Sequence, residues 1–214
     1  MLTFVGVGPG DPELVTRKAV RLLRESDAVA LPDTGFGKSS VMNIIGDLIE
    51  DKPVLWLSMP MRGTRDEWRE AHQKAADTLL EWLEQYPNLV YPVLGDPSIY
   101  ATSSYLMRLV EKKHPCQVVP GIPTLCAAAA RLGVPLCEQR EILTVMDEPP
   151  AGELPAGGVV VMKCGKKLPE VQAAAADREA YAVRNMGMDH EWIGPLAEIP
   201  VDDYSYFTTV IIRP

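Results

Sequence analysis

The sequence predicts an α/β protein of two lobes, the first built on a mostly parallel sheet with helices on both faces and the second on a mixed sheet. Three observations predict it. Short apolar runs alternate with amphipathic helical stretches through the first half of the chain, the order that produces parallel strands crossed over by helices. Past an alanine-rich stretch at Pro123 to Gly133, strands outnumber helices. Several apolar runs also end in glycine-proline turns, which places those turns at the carboxyl edge of a sheet, where open α/β proteins hold their ligands.

Taken in order, "LTFVGVG" from Leu2 is a buried strand. "PELVTRKAVRLLRES", Pro12 to Ser26, is a helix with Asp11 suited to its cap and Pro12 to its first turn. "DAVALP" reads as strand, "SSVMNIIGDLIE" as helix and "PVLWLSM" as strand. A long helix follows from Arg65 to Tyr86, with Trp68, Ala71, Ala75, Leu79 and Leu83 on related faces. "NLVYPVLGD" is the next strand, "SIYATSSYLMRLVEKK", Ser98 to Lys113, a helix, and "CQVVPGI" a strand ending in a turn. In the second half, "EILTVM", "GGVVVMKC", "EAYAVRNM" and "YSYFTTVIIR" are strands and "PEVQAAAA" a helix. "DEPPAGELPAGG", rich in Pro and Gly, is a loop. The boundary falls between Pro115 and Thr124, giving lobes 1–117 and 118–214.

Composition excludes several classes. The 214 residues carry 47% hydrophobic and 23% charged side chains, ordinary for a globular protein. No apolar run is long enough to span a bilayer, and the N-terminus lacks the charged and apolar regions of a signal peptide, so a cytoplasmic protein with no membrane partner is expected. A formal net charge of −8 argues against nucleic acid as partner. Cys116, Cys126, Cys137 and Cys164 never form C-x-x-C, and His72, His114 and His190 are scattered. Reduced thiols and no metal site are expected.

Two glycine-rich stretches look like phosphate loops and are not. In "VGVGPGDPEL", Gly6, Gly8 and Gly10 are spaced by single residues, Pro12 removes an N–H, and Asp11 puts a carboxylate where a pyrophosphate would sit. In "GFGKSS", Pro32 stands where a Walker A loop needs its first glycine.

That first turn, together with "LGDPSIYATSSYL", "VVPGIPTLCAAAARLGVPL" and "VVVMK", resembles the tetrapyrrole methylases, and the resemblance covers essentially the whole chain. "LSMPMRGTRDEWREAHQKAADTLLEWL", the alanine run and the ending "YFTTVII" look most like the branch that methylates carbon 20 of precorrin-2 or cobalt-factor II in cobalamin synthesis. The chain departs from that branch in a shorter second lobe, in Pro123, and in a loose match at "VRNMGMDHEWI".

The resemblance implies the two-lobed tetrapyrrole methylase fold, a homodimer, S-adenosylmethionine as cofactor with S-adenosylhomocysteine as product, and a tetrapyrrole substrate. It places the cofactor in a cleft between the lobes, gripped largely by backbone groups. Carried over, the contacts are Pro9, Leu94, Gly95, Asp96, Ile99, Pro123, Thr124, Met162 and Met186. Asp96 serves equally as a cap for a helix beginning near Ser98, and Met162 as core. Asp11, a capping residue on the residue-level reading, and Tyr100 are the candidates for proton transfer. Lys38, Arg62, Arg65, Lys163 and Arg184 are the cations near cleft-edge turns that could answer the substrate's carboxylates. Trp56, Met59, Met61, Trp68 and Trp82 serve either a dimer interface or the first core. Methylation of another corrin or uroporphyrinogen carbon, and non-catalytic tetrapyrrole binding, stand as the alternative functions.

Overall fold

Five apolar runs of the first half pair as parallel strands in a computed structural model, which describes residues 1–33, 39–59, 63–150, 152–200 and 205–214. They are β1 (Leu2–Gly6), β2 (Ala28–Asp33), β3 (Val54–Ser58), β4 (Leu89–Val93) and β5 (Cys116–Val119), in the order β3-β2-β4-β1-β5. β1 lies between β4 and β5, in register from Leu2 opposite both Leu89 and Cys116. Alternate residues face opposite sides of a strand, and the core divides accordingly. Leu2, Phe4, Ala28, Ala30, Leu55, Leu57, Leu89 and Tyr91 pack with Leu79 and Leu83 of α3 (Arg65–Gln85) and Leu106 and Val110 of α4 (Ser103–Val110). Val5, Val29, Leu31, Val90 and Val119 face the other way, onto Ala19 and Leu23 of α1 (Arg17–Glu25) and Val41, Ile44 and Ile45 of α2 (Ser40–Ile45). Each fully buried Leu or Ile contributes about 1.5–3 kcal/mol relative to exposure. Helices therefore cover both faces, as the sequence predicts.

Three helices are markedly shorter than expected: the one predicted over 39–50 runs only Ser40–Ile45 before a 3-10 turn, Gly46–Leu48. Thr16 accepts a hydrogen bond from the Ala19 N–H at 3.1 Å and starts α1 at Arg17. Pro12–Leu14 is a separate 3-10 turn, capped by the Asp11 carboxylate. The helix predicted from Ser98 begins only at Ser103, because Tyr100 adopts a left-handed conformation, φ +47°, that no helix accommodates.

The chain divides into compact units Met1–Ile122 and Pro123–Pro214. A boundary at 117/118 would cut β5, whose residues pair with β1; the division comes after the turn that β5 leads into.

In the second unit, β6 (Leu143–Met146), β7 (Gly158–Val161), β8 (Ala180–Arg184), β9 (Trp192–Pro195) and β10 (Thr208–Ile212) form a sheet in the order β6-β7-β10-β8-β9. β6 and β7 are parallel and the other pairs antiparallel, so the sheet is mixed, as expected. β9 is an addition to the strands the sequence predicts. Val159, Val161, Val210 and Ile212 pack against Leu168 and Val171 of α6 (Leu168–Ala174). The alanine-rich stretch forms α5 (Thr124–Leu132), which buries Ala127, Ala128 and Ala129 and ends at Gly133, φ +69°. The Arg178 guanidinium donates to the carbonyls of Pro155, Gly157 and Arg213, fastening the Pro/Gly-rich loop to the end of the chain.

All four cysteines are free thiols. Among the described residues no helix is long and apolar enough to cross a membrane, and no three His, Cys, Asp or Glu come together as a metal site.

Candidate functional site

Because β1, β4 and β5 are parallel, their carboxyl ends emerge at one edge of the first sheet, and the turns that follow them are fused through backbone. The Gly95 N–H donates to the Gly8 carbonyl at 2.8 Å, and both glycines are left-handed, φ +73° and +80°. Gly6 and Gly121 meet directly. A Cβ on Gly6 would lie 2.4 Å from the Gly121 nitrogen, and one on Gly121 would lie 2.2 Å from the Gly95 oxygen. No side chain fits either place.

Asp96 completes the junction. One carboxylate oxygen accepts from the Ser98 N–H at 2.7 Å and from the Ser98 hydroxyl; the other accepts from the Gly121 N–H at 2.9 Å. With 9% of its surface exposed, it clasps the β4 turn to the β5 turn. The expected alternative, a cap on a helix at Ser98, does not hold, since α4 begins five residues later without a side-chain cap. Pro9 and Gly95 are buried in these turns, and Leu94 and Ile99 are half-buried. Asp11 does cap: its carboxylate accepts from the Glu13 N–H at 2.9 Å. Tyr100 is exposed beyond the β4 turn.

In the second unit, β7 and β8 both run antiparallel to β10, so their carboxyl ends flank its start. The Cys164 N–H donates to the Thr208 carbonyl at 2.9 Å, and the Asn185 N–H donates to the Phe207 carbonyl at 2.9 Å. This brings Met162 and Met186, far apart in sequence, to one sheet edge, and both are buried. Met162 also donates its N–H to the Met146 carbonyl at 2.8 Å. Beside it, the Cys164 thiol is pushed up to about 12 by burial. Pro123 and Thr124 are half-buried at the start of α5.

The candidate cations separate. Arg65 is exposed as the first residue of α3. The Lys163 ammonium lies 5.8 Å from the centroid of the Tyr206 ring, itself 46% exposed. Arg184, expected among the cations that meet substrate carboxylates, is only 7% exposed and donates to the Pro200 carbonyl at 3.4 Å. As the last residue of β8 its side chain is enclosed by the fold. Lys38 and Arg62 lie outside the described residues, as does Met61.

The other large side chains weighed between interface and core differ in burial. Met59 is buried, Trp68 stacks on His72 with ring centroids 3.7 Å apart, and Trp82 packs on the first core. Trp56, on the edge strand β3, is 50% exposed.

A feature absent from the sequence reading is local strain. Tyr100, Lys163 and Asn185, just past β4, β7 and β8, have φ of +47°, +57° and +53°. Non-glycine residues held there cost on the order of 1–3 kcal/mol each and persist only where surrounding contacts enforce them. A sequence signal exists for Asn185, because Asn tolerates this conformation better than most residues; for Tyr100 and Lys163 there is none.

The family model of the tetrapyrrole (corrin/porphyrin) methylases matches residues 1–200. A Methanocaldococcus jannaschii protein named "Probable cobalt-precorrin-2 C(20)-methyltransferase" is 29% identical, over 98% of this chain and 94% of its own length. A "Precorrin-2 C(20)-methyltransferase" of Sinorhizobium is 26% identical over 99% of this chain and 94% of its own. The solved uroporphyrin-III C-methyltransferase of Thermus thermophilus, complexed with S-adenosylhomocysteine, is similar in fold, with a TM-score of 0.66 at 21% identity over 99% of this chain and 96% of that one. With a family model spanning nearly its whole length and the glycine turns in place at its sheet edges, the chain belongs to the tetrapyrrole (corrin/porphyrin) methylases.

Proposed function

We propose that the protein transfers a methyl group from S-adenosylmethionine to carbon 20 of a precorrin-2-type tetrapyrrole, metal-free or cobalt-bound, in cobalamin synthesis. The observation that carries the reading is near-full-length similarity to two proteins named for that activity. When bound, S-adenosylmethionine supplies a methyl already made electrophilic by its sulfonium. The chain's task is then alignment, which can supply ~7–11 kcal/mol of barrier lowering without a protein nucleophile or metal.

The residues suit such a cofactor. The first unit offers turns stripped of side chains, so that backbone can approach a ligand closely; Pro9, Leu94, Gly95 and Ile99 stand there. The second offers Pro123 and Thr124 and two thioethers, Met162 and Met186, soft groups suited to an adenine face or a sulfur. Asp96 contributes by holding the β4 turn, since both its oxygens are engaged by N–H and O–H donors. Asp11 caps through one carboxylate oxygen, and exposed Tyr100 is our first candidate for relaying the proton lost from the methylated carbon. Arg65 and Lys163 are the described cations placed to meet substrate carboxylates, where an acidic protein needs local positive charge. A cytoplasmic homodimer completes the reading, with exposed Trp56 at the first sheet's edge as a contact.

The test is an anaerobic assay of purified protein with methyl-labelled S-adenosylmethionine, offering metal-free precorrin-2 and cobalt-factor II in parallel. Label at carbon 20 of either substrate is the expected result and assigns the metal state. Label at another carbon, or tight tetrapyrrole binding without transfer, would replace the reading with one of the two alternatives.

A further inference from the structure

The second unit's edge is held by a side-chain network whose centre is Asn185. Its backbone N–H donates to the Phe207 carbonyl at 2.9 Å, and its carbonyl accepts from the Met188 N–H at 2.8 Å. Its side-chain oxygen accepts from the Ser205 hydroxyl at 2.6 Å, and its amide nitrogen donates to the His190 carbonyl at 3.3 Å. The Ser205 hydroxyl in turn accepts from the Phe207 N–H at 3.2 Å. All of this is made from a left-handed backbone, φ +53°. Few residues can meet both demands. Glycine takes the conformation but has no side chain, alanine has neither property, and aspartate accepts from Ser205 but cannot donate to His190.

Met186 and Tyr206, buried and exposed respectively, are neighbours in sequence of the groups so joined, and Tyr206 carries Lys163 over its ring. We propose that Asn185 is a positioning residue that sets the Met186 turn and the Ser205–Phe207 segment in a single geometry, so that the methionine offered to the cofactor and the Tyr206–Lys163 pair offered to the substrate are aligned together. This rests on the reading of Met186 and Lys163 given above. Asn185 touches neither ligand in this scheme; it acts through its two neighbours.

Three variants decide the matter: Asn185→Gly, Asn185→Ala and Asn185→Asp. Amide hydrogen exchange is followed at 186–190 and 205–208 in each, beside calorimetry of S-adenosylmethionine binding. Asn185→Gly, which relieves the backbone and loses only the side-chain bonds, is expected to speed exchange in both segments together and to weaken S-adenosylmethionine about tenfold. Asn185→Ala, strained as well, is expected to do more. Asn185→Asp keeps the Ser205 bond and is expected to restore 205–208 while leaving 186–190 loosened. In Asn185→Gly, wild-type protection and affinity would overturn the proposal, as would loosening of one segment alone in that variant. Failure of the unsubstituted protein to bind S-adenosylmethionine would instead sink the proposed function, and the exchange data would still judge the coupling of the two segments.

Discussion

The two units solve one problem differently. Each must hold irregular turns in fixed positions at the carboxyl ends of its strands. The first unit does so with backbone against backbone: Gly6, Gly95 and Gly121 are pressed together, and a single carboxylate, Asp96, ties the remaining N–H groups. The second joins its strand ends by backbone bonds, Cys164 to Thr208 and Asn185 to Phe207, and adds side chains: Asn185 reaches Ser205, and Glu191 accepts from the Gly187 N–H at 2.7 Å while pairing with Arg131 at 2.8 Å. The first arrangement leaves no room for any substituent. The second depends in addition on particular side-chain chemistry, which can be altered one residue at a time.

The largest expected difference comes from adding one methyl group at the backbone junction of the first unit and one at the open end of α5 in the second. In Gly121→Ala the new Cβ meets the Gly95 oxygen and, at 2.7 Å, the Gly6 carbonyl carbon, backbone atoms that cannot swing aside. A loss of about 4 kcal/mol or more is expected, or failure to fold. Gly133→Ala in the second unit meets nothing within 4 Å and suffers only its left-handed φ of +69°, a cost of about 1–2 kcal/mol. Urea unfolding of both variants tests the order. Equal midpoints would mean that the backbone junction yields more readily than its contacts indicate.

A smaller effect separates the two carboxylate clasps. Asp96→Ala leaves the Gly121 and Ser98 N–H groups without their acceptor in a buried place, at about 2–3 kcal/mol. Asp96→Asn falls between: the amide has one acceptor oxygen, so one of the two N–H donors must face its NH2. Glu191→Ala removes a comparable pair of contacts from a more exposed site, where Arg131 is half in solvent, and about 1 kcal/mol or less is expected. Denaturant midpoints for the three variants should rank in that order, with Asp96→Ala lowest. Asp96→Asn at the wild-type midpoint would show that the second acceptor is dispensable.

The same contrast explains what was legible in the sequence. The central strands β1 and β4 are buried along their whole length, and short apolar runs alternate with amphipathic helices, so pattern alone places β1 to β5. The glycines of the junction are visible as glycines, yet nothing in one chain's letters says that Gly6 touches Gly121, residues more than a hundred positions apart. The helix predicted from Ser98 fails for a related reason: its local propensity is sound, but the tertiary demand on Asp96 and the left-handed Tyr100 delay it to Ser103. β9 escaped because "WIGP" carries a glycine and a proline and becomes a strand only through pairing with β8. In the second unit the network around Asn185 joins side chains twenty residues apart, and only Asn's tolerance of positive φ hints at it.

The smallest predicted effect concerns protons, and it too divides the units. His72 on α3 is 3% exposed, with Nδ1 bonded to the Trp68 carbonyl at 2.8 Å and Nε2 buried without a hydrogen-bond partner. Burial lowers its pKa below the usual imidazole value, more than the Trp68 bond raises it. The unfolded chain therefore binds the proton more readily than the folded one. The contribution is complete above the ordinary value of about 6.5 and is lost as pH falls from there through the folded pKa. In the second unit the enclosed Cys164 thiol, at about 12, stays neutral throughout that range and adds no slope. Stability measured by urea at intervals from pH 7.5 to 5 should decline on the acid side, and His72→Phe, which keeps an aromatic ring against Trp68, should remove that part of the decline. An unchanged slope in His72→Phe would place the acid sensitivity in groups other than His72.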